Sequence, residues 1–507
     1  MSVATTRPAG RGKSRPGEVP TPAADHHRRR RLLADPNRLV APRPTPWQRL
    51  VEAVLAVCLL LLPLASAWAS TVTVAGLPPV RLLVVVFVAA VLVGRQHLST
   101  VTQVLVVVTL VWTAVGLFLV EGEAGPKEVL GVIVGLVTMI AMTMTVTDRR
   151  WMTRLCRAWF LGLVVACLPA GYEIATGRHM PNYLEGSSAW IRRKSTDIAS
   201  FMVNPNLFAY FLAAGMIVMV VGWQTERGRW RWAYLAAALV VPPLVLLTGS
   251  RLTLAVVVVV LVWMLLRSRV LALVTAVGVP LAALAVVVTG QLPALLADIS
   301  LAIYNLTSTS GQSRLHLYRN AAWLLERSGG LGFGPGQFQT LVLTAPWPTY
   351  GSVDPHNGFT EVIGGYGIVL GGLVLGLAAA TLWRALRREG RTGRSDRDVV
   401  LAQAVAVSMV VVPLLSMANS SYLKSPVVWA QMGTIAVWCQ ALMVRSGVVA
   451  RLAPRASSTG PSAPRALPRR LRTVRRVNRR RGVGCPAGAT DASSVGLSRC
   501  RLRRTDS

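Results

Sequence analysis

A succession of long apolar runs dominates this sequence and leaves few folds open to it. In the hydrocarbon core of a bilayer every backbone N–H and C=O must find its partner within the same segment. An isolated apolar run therefore crosses as a helix, and an isolated strand does not cross at all. Runs of suitable length lie at about 50–70, 79–94, 100–120, 127–147, 154–174, 203–223, 231–248, 252–266, 270–289, 357–383, 398–417 and 425–444. The pattern predicts an all-α polytopic membrane protein with about 12 transmembrane helices. Over 507 residues, a hydrophobic share of 53% and a mean hydropathy of +0.50 exceed what a soluble domain carries. The runs divide the chain into a basic tail at 1–48, nine helices over 49–289, a large loop at 290–356 between helices 9 and 10, three helices over 357–446 and a second basic tail at 447–507.

Charge orients these helices. The net charge is +33, yet residues 1–50 hold 11 Lys/Arg against 3 acids and residues 451–507 hold 15 against 2. With both termini cytoplasmic, 17 of the 28 Lys/Arg between the tails fall inside and 11 outside, as the positive-inside rule favours. An odd number of spans would put one arginine-rich tail outside. The tails are rich in Pro, Gly and Ser and are expected to be disordered, held near anionic cytoplasmic lipid headgroups. No stacking aromatics accompany their arginines, which argues against a nucleic-acid partner. Arginine outnumbers lysine 50 to 4, the mark of a GC-rich genome rather than of chemistry. The first 47 residues are polar and basic and do not read as a cleavable signal peptide. Cys58, Cys156, Cys167 and Cys439 fall in apolar spans and Cys485 and Cys500 in the tail, without the spacing of a disulfide framework or a zinc site.

The 11 external basic residues break the rule that organises the others. Four of them, Arg81, Lys127, Arg251 and Lys424, stand in short loops, and the rest in the loops at 175–202 and 290–356. Basic residues gathered at the mouths of spans point to an anionic ligand, and the planar guanidinium suits paired phosphate oxygens. TGSR sets Arg251 in the tight turn between the seventh and eighth spans, where a snorkelling helix anchor is the plain alternative. IRRKSTDIASFMVNPNLFAYF brings Arg192, Arg193 and Lys194 to the entrance of the sixth span, with Asn204 expected as N-cap and Pro205 in the first turn.

GQSRLHLYRNAAWLLER reads as an amphipathic helix with Leu315, Tyr318, Ala322 and Leu325 on the face toward membrane or protein. Arg314 lies at its N-terminal end, where the helix dipole favours an anion, while Arg319 and Arg327 read as a solvated face. LGFGPGQF lacks GK[ST] and follows no strand, so it is expected to be a turn that folds the loop back over the membrane. DPHNGF sets His356 and Asn357 at the mouth of the tenth span. Histidine is the natural general base near neutral pH, and Glu361, about one turn on, is the competing carboxylate. Asp396 and Asp398 form the one DxD-like pair, in a cytoplasmic loop among arginines, so no metal–nucleotide-sugar site is expected.

Over about 180–385 these segments resemble the O-antigen ligase and O-antigen polymerase superfamily of bacterial membrane glycosyltransferases. NPNLFAYF is similar to the family's N-P-N-x-x-A segment and TGSR to its T-x-S-R turn. SRLHLY followed by LGFGPGQF resembles the loop arginine and the G-x-G-x-G/N-x-F run, with Tyr318 at a position where Trp is usual. His356-Asn357, nine residues and Gly367 resemble the ligase motif H-[NSQ]-x9-G-x-x-[GTY]; Leu370 departs from the last position, and Gly371 follows one place late. The resemblance implies a GT-C-like enzyme of the bacterial cytoplasmic membrane, a metal-independent inverting transferase without a cofactor. Its donor would be a polyprenyl-diphosphate-linked glycan and its acceptor a hydroxyl on a glycan or a lipid. Arg251 and Arg314 would stabilise the departing diphosphate, with Arg192 or Arg193 assisting, and His356 would take the acceptor's proton. Asn357 and Glu361 would lie against substrate. A repeat-unit polymerase of the same superfamily fits as well. An anion transporter would need charge within the spans, and the mid-span positions are almost purely apolar.

Overall fold

The computed structural model describes residues 45–69, 77–94, 98–180, 197–268, 309–351, 353–389, 395–418 and 422–445, and apart from one bridge residue at Leu77 its regular structure is helical. The helices are α1 (Pro46–Trp68), α2 (Pro79–Gly94), α3 (Thr100–Leu119), α4 (Ala124–Thr145), α5 (Arg149–Thr176), α6 (Pro205–Thr225), α7 (Arg229–Leu247), α8 (Arg251–Arg267), α9 (Thr309–Arg327), the one-turn α10 (Phe338–Leu341), α11 (Gly365–Glu389), α12 (Asp396–Ser416) and α13 (Pro426–Arg445). A π-helical stretch, Thr360–Gly364, leads into α11. Eight of the described helices are long and apolar enough to cross a membrane, and α2 is apolar but shorter. Eleven of the twelve expected spans thus coincide with a helix. The ninth, at 270–289, lies outside the described residues, as do both tails, Arg192 and Arg193.

Local chemistry fixes where these helices begin. Thr45 and Gln48 form a reciprocal capping box ahead of Pro46. Asp148 Oδ1 accepts from Trp151 N–H at 3.0 Å to start α5, which stops at Gly177 in a left-handed conformation, φ 64°. Asn204 caps α6 by accepting from Leu207 N–H at 2.8 Å, and Pro205 takes the first helical position, as the sequence led us to expect.

Helix α6 is the most enclosed element, surrounded by α5, α7, α8 and α12. Helix α4 packs on α2, α3 and α13, and α1 on α2, α5 and α13. Outward faces remain strongly apolar: Phe118 on α3 is 83% exposed and Val369 on α11 85%. Such faces suit lipid rather than water. One end of the bundle gathers the C-termini of α1, α3, α5, α7 and α12 with the N-termini of α2, α4, α6, α8, α11 and α13. Glu173 at the end of α5 accepts from Ala199 and Ser200 N–H at 3.0 and 2.6 Å, and Ile198 N–H donates to Leu247 O of α7 at 3.1 Å. Near the other end Arg154, Arg157 and Arg231 lie over the rings of Trp151, Trp230 and Trp223.

Helix α9 stands apart on the first of these ends, with its own small core of Leu317, Ala321, Leu324, Phe338 and Val342. The buried stripe differs from the expected one. Leu317, Asn320, Ala321 and Leu324 face the protein, whereas Leu315 is 47% exposed and Ala322 is exposed too. Asn320 explains the rotation, because its amide pairs with both backbone groups of Trp347, accepting from N–H at 3.1 Å and donating to the carbonyl at 2.8 Å. A polar side chain satisfied in this way is buried at little cost.

Candidate functional site

The site is organised by a break in the helix that follows His356. Gly367 interrupts α11 with φ 90° and ψ 166°, a conformation essentially restricted to glycine. The break frees backbone groups, and the glycine-rich turn supplies their partners: Phe333 N–H donates to Gly364 O at 2.7 Å, and Ile368 N–H to Gly330 O at 2.9 Å. The approach is close enough to exclude a side chain on either segment. A Cβ on Gly332 would lie 2.6 Å from Gly367 N, and one on Gly367 would lie 2.5 Å from Leu331 O. The far side of the turn rests on the connection between α3 and α4, where Gln337 Nε2 donates to Glu121 O. LGFGPGQF thus folds back as expected, and it docks on the broken helix. The nine-residue spacing from Asn357 to Gly367 is the distance from the helix mouth to that dock.

His356 occupies the mouth in a left-handed conformation, φ 46°, worth about 1–3 kcal/mol of strain for a residue with a side chain. Its Nδ1 is buried and has no hydrogen-bond partner among the described residues. Burial and the nearby Arg314 guanidinium push its pKa down, and Asp354 partly opposes them. The ring is therefore held neutral, with a basic nitrogen, at neutral pH. Asp354 is itself fixed by Gln339 Nε2 from α10. Arg314 reaches across from α9, its Nη1 3.5 Å from Met417 O at the end of α12. Tyr318, one turn further along α9, lies beside the Asn357 side chain. Asn357 also accepts from Phe359 N–H at 3.0 Å and starts the helix.

Of the residues singled out from the sequence, Arg314, His356 and Asn357 come together here. Glu361 lies on the same broken helix, with both carboxylate oxygens occupied: they accept from Tyr422 and Leu423 N–H at 2.7 Å each. It holds the turn that precedes α13. Arg251 is exposed at the start of α8, on a turn where Gly249, φ 66°, sits against Asp197. Arg314 and Asp354 are the charges that act on His356. Sequence reasoning missed Gln339, the Met417 carbonyl and the ion pair between Lys424 and Glu128 at 3.6 Å. The signal for Lys424 was present in the count of external basic residues. Gln339 and Met417 carry none, because their roles depend on long-range placement.

The comparison with curated proteins gives no match. Residues 243–375 match the family model Wzy_C, O-antigen ligase. That stretch holds Arg251, Arg314, the glycine-rich turn, His356 and the break at Gly367, and over it the chain is similar to the O-antigen ligase family.

Proposed function

We propose that this protein transfers a glycan from a polyprenyl diphosphate to an acceptor hydroxyl on the outer face of the bacterial cytoplasmic membrane. The observation that carries the reading is a histidine held neutral beside an arginine, at the mouth of a helix broken at Gly367, within the residues that match the O-antigen ligase model. The His356 ring takes the proton from the acceptor hydroxyl as its oxygen bonds to the anomeric carbon. The bond from that carbon to the diphosphate breaks, and its electron pair leaves with the phosphate oxygen. Arg314 offsets the charge that develops there, a role for which fixed cations are effective. Attack opposite the leaving group inverts the anomeric centre. Arg251, Arg192 and Arg193 serve the same anion, and Asn357 positions the substrate.

Helix direction supports the twelve-span topology. Helix α8 ends opposite the site, and α9 and α11 begin beside it, which favours one further crossing between them and a topology with both termini on one side. Proteoliposomes containing the full chain and a lipid-diphosphate-linked oligosaccharide, with a second lipid-linked glycan as acceptor, test the reading. Release of polyprenyl diphosphate in step with glycan transfer is the expected result. Transport of an anion across the vesicle without transfer refutes it.

A further inference from the structure

A cavity of about 280 Å³ opens between α1, α2, α4, α6 and α13, separated from the His356 mouth by Lys424. Its polar lining is built for an anion. The N-termini of α2, α6 and α13, each with proline at its first position, all border it, and each brings roughly half a positive charge. Arg81 lines it and has no hydrogen bond or ion pair from its side chain among the described residues. Ser66 and Ser425 line it too; they are 3% and 8% exposed, and neither hydroxyl has a hydrogen-bond partner among the described residues. Buried hydroxyls without partners are costly in a finished fold, so these two point to a ligand. Lys424 is answered from its other side by Glu128 and Glu361, which line a second, smaller cavity next to Pro355. The uncompensated side-chain donors are thus Arg81 and the two serines, with the helix dipoles behind them. The remaining wall is apolar, with Val80, Val134 and Leu207.

We infer that this cavity binds the phosphate of a second lipid-linked molecule, the acceptor, apart from the donor's diphosphate at Arg314. The apolar wall takes the first carbons of the lipid, and the donors take the phosphate. Its place beside Lys424 and Pro355 turns the attached sugar toward His356. The assignment of the ligand as acceptor rests on the transferase reading, whereas binding at the cavity is tested without any transfer.

The experiment measures binding of a C55 polyprenyl monophosphate to the full chain in phosphatidylcholine nanodiscs. It is run in an Arg314→Gln background so that the donor site is weakened. Binding should persist in Arg314→Gln and fall about 10–100-fold when Arg81→Gln is added, the usual worth of a hydrogen bond to a charged group. Ser66→Ala with Ser425→Ala should weaken it about tenfold while leaving thermal unfolding unchanged, because neither hydroxyl has a hydrogen-bond partner among the described residues. Binding unaffected by Arg81→Gln and by the serine pair overturns the inference. So does loss of all binding on Arg314→Gln alone, which would make the two sites one. Inorganic pyrophosphate that competes as strongly as the lipid assigns the cavity to a soluble anion and overturns the lipid assignment. Failure of the transferase reading appears separately, as intact lipid binding with no glycan transfer.

Discussion

Replacing Gly367 by alanine should undock the glycine-rich turn from the broken helix and slow transfer without touching His356. The backbone at φ 90°, ψ 166° costs a residue with a side chain about 1–3 kcal/mol. The new Cβ would also lie 2.5 Å from Leu331 O, 2.8 Å from Leu331 C and 3.1 Å from Gly330 O. All three are backbone atoms and cannot rotate away, so the turn must move. Movement loses the bonds from Ile368 N–H to Gly330 O and from Phe333 N–H to Gly364 O, at about 0.5–1.5 kcal/mol each. The total is about 2–6 kcal/mol against the docked turn, or roughly 30-fold to 10⁴-fold in its equilibrium. Amide hydrogen exchange followed at 330–337 and 364–368 reads this directly. Gly376→Ala in the same helix is the control, since nothing lies within 4 Å of its added Cβ. Protection at Phe333 and Ile368 that is the same in Gly367→Ala, Gly376→Ala and the parent would refute the docking argument.

Three other outcomes follow from the site. The acid limb of kcat/KM should have its midpoint below the ordinary histidine value of 6.5, because the base is active above its folded pKa and that pKa is lowered. Arg314→Gln removes one lowering charge and should move this limb upward; an unmoved limb would detach Arg314 from His356. Glu361→Gln should lower thermal stability by about 1.5–3 kcal/mol, since an amide offers one acceptor where two backbone N–H groups need two. Its remaining activity should keep the parent pH profile, and a lost acid limb would make Glu361 the base. Arg319→Ala, exposed on the same helix as Arg314, should change stability by less than about 0.5 kcal/mol and leave transfer intact.

The bundle was legible because its signals are local and long. Apolar runs mark helices wherever lipid forbids other backbone solutions, and Asn204-Pro205 marks a helix start by capping chemistry alone. His356 and Arg314 were legible as residue types out of place on an apolar background. Other features depend on distant partners. Glu361 looks like a base until Tyr422 and Leu423, 61 and 62 residues away, are seen to bind its two oxygens. The glycine-rich turn has no periodicity that could announce pairing with a helix break. In α9, apolar residues at 315, 317, 318, 321, 322, 323, 324 and 325 leave two faces almost equally apolar, and a buried asparagine chose between them.

The most direct test of the account compares transfer with donor binding in His356→Ala. The full chain is reconstituted with a lipid-diphosphate-linked oligosaccharide, and both quantities are measured on the same preparation. Loss of a general base should slow transfer by roughly 10²–10⁴-fold while donor affinity stays near that of the parent. Transfer at the parental rate in His356→Ala would contradict the assignment of this ring as the base.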